Sequence, residues 1–153
     1  WTYGCLLIVL CTTADADVVG YARVVDGDTI EVNRTRIRLN GIDTPESLQT
    51  CKRNGSIWAC GREATKVAER LIANRQVRCV GDSYDRYRRL IADCFVEGVN
   101  INAMLVKLGM ALAYRRYSTE YVAEEKIARQ AKVGLWSGKF VAPWAWRRGE
   151  RLP

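Results

Sequence analysis

The order in which hydrophobic periods change along the chain predicts an α+β, mainly β fold: a five-stranded OB-type barrel carrying three helices. Three observations lead there. Two-residue alternation fills residues 18–25, 29–32 and 36–41, giving three strands in a row. Apolar residues then recur at helical spacing (Ala64, Val67, Ala68, Leu71, Ile72), a helix over 62–74, before strands return at 77–80 and 90–96. Three strands, a helix and two strands is the order of an OB-type barrel, whose faces and loops hold nucleic acids or sugars.

The first sixteen residues stand apart. Gly4 to Cys11 is an apolar run too short to span a bilayer, and Ala14-Asp15-Ala16 has the small-x-small form of a signal-peptidase site. A signal peptide over 1–16 and one domain over 17–153 are expected. The mature chain would then be secreted or periplasmic, without stable membrane association, and nothing in the sequence demands more than a monomer.

The ribbon from Asp26 to Glu46 carries the densest chemistry. Ile30, Val32, Ile37 and Leu39 share one face, and a turn lies within 33–35. A turn centred near Arg34 or Thr35 would bring Asp28 level with Ile42 or Asp43. Glu46 follows and Arg38 sits on the same ribbon, so three acids and a cation gather at one end. On their own, Asp26-Gly-Asp-Thr29 is also a tight turn and Asp43-Thr-Pro-Glu46 also a helix start. Arg38 and Asp43 are an odd five residues apart, so a bulge or twist near Asn40-Gly41 is required to put them on one side.

Four cysteines remain after residue 16: Cys51, Cys60, Cys79 and Cys94. An even number in an exported chain reads as two disulfides, and three pairings are formally open. A hairpin centred on 84–88 sets Cys79 across from Cys94, leaving Cys51 with Cys60. Further on, Ile101, Met104, Leu105 and Leu108 mark a second helix opened by Asn100 or Asn102 and closed by Gly109. A third is expected from Ser118 to Gly134, after which Leu135 and Trp136 fold back.

Composition narrows the chemistry. Twenty-four basic residues against 17 acidic give a formal charge of +7, and the pI is about 9.3, which suits a polyanionic partner. Histidine is absent. That excludes a histidine base, a histidine triad and a histidine zinc site, and leaves oxygen ligands that favour Ca²⁺ or Mg²⁺. Asp85-Arg-Tyr-Arg-Arg89, in the turn of the later hairpin, joins guanidinium forks to an aromatic ring, a pairing fitted to phosphate and base. Tyr114-Arg-Arg-Tyr117 repeats it. Pro143-Trp-Ala-Trp-Arg-Arg148 reads as an aromatic anchor for the C-terminus rather than a binding site.

Asp26-Gly-Asp-Thr29, Arg38-Leu-Asn-Gly-Ile-Asp-Thr-Pro-Glu46 and Asp85-Arg-Tyr-Arg-Arg89, in that order, resemble the staphylococcal nuclease family over nearly all of the mature chain. The resemblance implies a Ca²⁺-dependent nuclease acting on DNA or RNA and leaving 3′-phosphate ends. Asp28, Asp43 and the Thr44 carbonyl would be metal ligands. Glu46 would position or deprotonate the attacking water, and Arg38 and Arg89 would bind the scissile phosphate. Arg86, Tyr87 and Tyr114, or Tyr117 in the neighbouring register, would face the nucleotide. Arg88 departs from the pattern, standing where the family usually has Gly, so a left-handed turn there would be strained or differently shaped.

Overall fold

A computed structural model describes residues 17–153; the expected signal peptide lies outside the described residues. Strands β1 (Val18–Asp26), β2 (Thr29–Val32) and β3 (Thr35–Leu39) form an antiparallel meander, followed after helix α1 (Cys60–Ile72) by β7 (Gln76–Tyr84) and β8 (Leu90–Val96). The order β3-β2-β1-β7-β8 closes through a parallel β3–β8 pairing, so five strands make a barrel. Ile30, Val32, Ile37 and Leu39 point into it and are essentially buried. Ala64, Val67, Ala68 and Ile72 of α1 belong to the same core, as the helical spacing requires.

Two details of the ribbon differ from expectation. The β2–β3 turn is the two-residue Asn33–Arg34, both with positive φ (49° and 65°), which matches the twist of a tight hairpin. Thr29 therefore faces Arg38, and the Leu39 amide donates to the Asp28 carbonyl at 2.9 Å. Asp28 is level with Leu39, not with Ile42 or Asp43. It is the bend after Leu39 that carries Asp43 back to it.

Smaller elements complete the chain. Strand β4 (Ile42–Asp43) leaves the barrel to pair with β10 (Leu112–Ala113). Strands β5 (Cys51–Arg53) and β6 (Ser56–Trp58) form a hairpin absent from the sequence reading, although its turn, Asn54-Gly55 with φ 50° and 75°, is a recognised hairpin signal. The short β9 (Val99–Asn100) leads into α2 (Ile101–Lys107), whose Asn100 side chain accepts from the Ala103 amide at 3.0 Å. Helix α3 (Val122–Ala131) is shorter than expected. Its start is delayed because the Tyr117 and Ser118 amides close a turn onto the Tyr114 carbonyl, and Lys132 ends it at φ 53°. A 3₁₀ turn (Gly134–Ser137) and a fourth helix, α4 (Pro143–Arg147), follow. Both disulfides pair as read: Cys51 with Cys60 at the foot of the β5–β6 hairpin, and Cys79 with its cross-strand neighbour Cys94.

Candidate active site

The site forms where the ribbon ends. The turn after β1 is made by Asp26, whose carboxylate accepts from the Asp28 amide at 3.1 Å, so the tight-turn reading holds there, and the same turn sets Asp28 at the mouth of the cavity. Asp28 in turn accepts from the Thr44 amide (2.9 Å) and hydroxyl (3.0 Å) on one oxygen. Arg38 Nη2 touches Asp28 Oδ2 at 3.3 Å and Asp43 Oδ1 at 3.2 Å, so one guanidinium nitrogen joins the two carboxylates.

That contact needs the predicted bend. Leu39 ends β3, Gly41 adopts φ 70°, and Asp43 then faces the same side as Arg38. A side chain at Gly41 would crowd Ser118 and Tyr121 at 3.1–3.2 Å, so both conformation and space require glycine. Asn102 of α2, fully buried, pins the bend from behind. Its amide donates to the Asn40 carbonyl (3.1 Å), the Ala92 carbonyl (3.2 Å) and Asp93 (3.2 Å), while its oxygen accepts from the Cys94 amide (3.1 Å). Tyr121 donates to the same Asp93, and burial together with that acceptor pushes its phenol well above the usual range.

Glu46 sits on a loop rather than at a helix start. Its amide donates to Gln49 Oε1 at 3.1 Å, and the Gln49 amide donates back to its carbonyl at 2.7 Å. Gln49 is buried and ties the loop to the C-terminal segment through Nε2 to the Val141 carbonyl, 2.7 Å. Gly61, in the first turn of α1, lies directly under the Glu46 carbonyl.

Opposite stands the 85–89 loop. Asp85 Oδ1 accepts from the Tyr87 amide (2.9 Å) and the Arg89 amide (3.0 Å), and Oδ2 accepts from Arg89 Nε at 2.7 Å. Burial alone would raise the Asp85 carboxyl, but these donors and the Arg89 charge bring it below the usual range. Arg89 Nη1 also reaches Thr29 Oγ1 at 3.1 Å, which fixes its fork against the barrel. Arg88 does adopt the left-handed region, φ 63°, so the loop keeps the shape glycine would give it and carries the strain. Arg86 donates to the Tyr87 hydroxyl, on the exposed side of the loop.

Asp28, Arg38, Asp43, Glu46, Arg86, Tyr87, Arg89, Tyr114 and Tyr117 all line one open cavity of about 910 Å³. Tyr114 is held by its amide on the Gly41 carbonyl, by Tyr117 edge-on at 4.9 Å, and by Trp144 stacked at 5.2 Å. Thr44 stands behind Asp28. The sequence reading missed Arg147 of α4, whose guanidinium forks onto Asp43 (2.8 and 3.0 Å) and reaches Glu46 at 2.7 Å. The 143–148 segment is thus an anchor, through Trp144, and also part of the site. Its tryptophan-arginine composition was the available signal, but the contact spans about a hundred residues and only the fold creates it.

Burial dominates the Asp43 carboxyl, whose side chain is 1% exposed. It is pushed up to about 6, with Asp28 adding to the rise and the hydrogen bonds and charges of Arg147 and Arg38 opposing it. Asp26 is raised by burial and by the neighbouring charge of Asp28. The pull on Arg147 from Asp43 and Glu46 raises its own pKa further above its ordinary value.

Among the described residues no three acidic, histidine or cysteine side chains converge as a ready metal cage. The two carboxylates that do converge, Asp28 and Asp43, meet across Arg38. An all-oxygen donor set of this kind fits a hard divalent cation that completes its shell with water and backbone carbonyls.

The family model described as staphylococcal nuclease homologue matches residues 36–138. The chain belongs to the staphylococcal nuclease family. Its closed mixed barrel with added helices is the fold of that family, and membership makes it a nuclease-type hydrolase. Among similar proteins, an uncharacterized endonuclease of Escherichia coli O157:H7 is 38% identical over 147 residues, covering 91% of this chain and 88% of its own. The micrococcal nuclease of Shigella flexneri is 34% identical over 165 aligned positions, covering 95% and 90%. Succinoglycan biosynthesis protein ExoI of Rhizobium meliloti is 33% identical over 143 residues, covering 88% and 75%.

Proposed function

We propose that this chain is a Ca²⁺-dependent nuclease that hydrolyses DNA and RNA phosphodiesters with little sequence specificity and leaves 3′-phosphate ends. The observation that carries the reading is the meeting, in one cavity, of two buried carboxylates, a third on a braced loop, and the guanidiniums of Arg38 and Arg89. A phosphodiester anion repels hydroxide, so its charge must be neutralised while water is aimed at phosphorus.

Asp28, Asp43 and the Thr44 carbonyl are the residues that would hold the cation. When bound, it supplies positive charge beside the phosphoryl oxygens. Glu46 accepts the proton of the attacking water or orients it. Arg38 and Arg89 bind the phosphate and meet the charge that grows on its oxygens as the new O–P bond forms. The bond to the 5′ oxygen breaks and the phosphate stays on the 3′ oxygen. Tyr87, Tyr114, Tyr117 and Arg86 offer stacking and charge, which every nucleotide satisfies, so weak sequence preference follows.

Two disulfides support a secreted or periplasmic location. Among the described residues no helix is long and apolar enough to cross a membrane, and we assign the chain as a monomer without stable membrane association. The test is digestion of single-stranded DNA and of RNA by the purified chain with Ca²⁺ or with chelator, with the new ends mapped. Cleavage that needs Ca²⁺ and yields 3′ ends extendable only after phosphatase treatment agrees with the proposal. Binding without cleavage under any divalent metal would make the chain an OB-fold binding module instead, and 3′-hydroxyl products would reverse the assignment of the leaving oxygen.

A further inference from the structure

We propose that Arg147 is a positioning residue of the nuclease site, holding Asp43 and Glu46 in place as an internal counter-cation that a metal ion at Asp43 must work against. The inference rests on the reading above and deepens it. Arg147 Nη2 donates to Asp43 Oδ2 at 2.8 Å, and Nη1 donates both to Asp43 Oδ1 at 3.0 Å and to Glu46 Oε1 at 2.7 Å. One rigid fork therefore sets the spacing between the acid assigned to the metal and the acid assigned to the water, a geometry a lysine cannot reproduce.

The fork is held from its own side as well. Pro143 opens α4 and is buried. Trp144 stacks flat on Tyr114 at 5.2 Å, and the Val141 carbonyl accepts from Gln49, whose other amide atom accepts from the Glu46 amide. The C-terminal segment thus touches the Glu46 loop at two separate points. Glu46 itself is 41% exposed, so without Arg147 its carboxylate has solvent to rotate into.

The two roles predict effects of opposite sign. Removing the guanidinium removes a positive charge beside Asp43, so a divalent cation binds more tightly, by about tenfold for unit charges a few ångströms apart in a half-exposed site. The same change frees Glu46 and slows the chemical step by about 10- to 100-fold. A merely structural latch would move neither Ca²⁺ affinity in that direction nor kcat at constant fold.

The experiment uses the whole chain as wild type, Arg147→Gln, Arg147→Lys and, as an equal loss of charge at an exposed neighbour, Arg148→Gln. Ca²⁺ binding is read by titration calorimetry without nucleic acid, and kcat and KM on single-stranded DNA are read separately. Arg147→Gln is expected to bind Ca²⁺ more tightly and turn over more slowly. Arg147→Lys should keep near-wild-type affinity for Ca²⁺ but show reduced kcat, and Arg148→Gln should match wild type in both. Unchanged or weaker Ca²⁺ binding by Arg147→Gln overturns the proposal, as does an unchanged kcat. If Arg147→Gln does not fold, Arg147→Lys decides: a kcat equal to wild type overturns it. Wild type that fails to cleave with Ca²⁺ at all would instead sink the functional reading above.

Discussion

Replacing Gly61 by alanine should disable the site from outside it. A Cβ at that position would lie 1.7 Å from the Glu46 carbonyl oxygen, 2.7 Å from its carbon and 3.0 Å from the Ser47 carbonyl carbon. These are backbone atoms, so no rotamer change relieves the contact. Ordinary packing needs more than 3 Å, so the loop or the start of α1 must shift by over 1 Å. Alanine gains at most about 1 kcal/mol of helix propensity, while overpacking of this kind costs about 1–3 kcal/mol, so a modest net loss of stability is expected. The larger effect falls on rate: a displacement of about 1 Å at a reacting group costs about 10²-fold. Thermal melting and kcat on single-stranded DNA with Ca²⁺ read the two effects separately. Gly98→Ala is the control, since nothing lies within 4 Å of its Cβ and it has φ 78°; it should lose about 1 kcal/mol and no activity. A Gly61→Ala protein that cleaves within twofold of wild type would refute the claim that this contact places Glu46.

Asn102→Ala strips four hydrogen bonds from the bend at Asn40, and denaturant titration should show about 2–4 kcal/mol lost, with activity lowered in the surviving folded fraction. Arg88→Gly removes a left-handed non-glycine residue (φ 63°), so the melting point should rise, by the equivalent of up to about 1 kcal/mol, with cleavage retained. Calorimetry on both sides of pH 6 tests Asp43. Its carboxyl holds a proton up to about 6 in the folded protein against 3.8 ordinarily, so between those values the folded state binds more protons than the unfolded. Through this group, stability of the metal-free protein declines as pH rises across that window, while Ca²⁺ affinity climbs with pH and levels above about 6.

The barrel was legible because alternation carries it: Ile30, Val32, Ile37 and Leu39 cannot be buried unless these strands form, and the apolar face of α1, between the third and fourth barrel strands, joins the same core. The candidate site was legible as far as it lies on one ribbon. Asp28, Arg38, Asp43 and Glu46 are close in sequence, and the odd spacing of Arg38 and Asp43 alone demanded the break at Asn40-Gly41. The register failed by one choice of turn, since a two-residue loop at Asn33–Arg34 needs two non-glycine residues at positive φ, which sequence disfavours and the twist of the hairpin rewards. Arg147, Gln49 and Gly61 were invisible for another reason. Each acts through a contact that exists only after the C-terminal segment or α1 has packed against the Glu46 loop, and no local period records it.

In the proposed mechanism Glu46 directs the attack of water on a phosphodiester held by Arg38 and Arg89. Single-turnover cleavage of single-stranded DNA by Glu46→Gln, with saturating Ca²⁺, tests it most directly. The expected rate is about 10²-fold or more below wild type with DNA affinity little changed, since glutamine keeps the size of the side chain and loses the base. A variant within about threefold of wild type would contradict it.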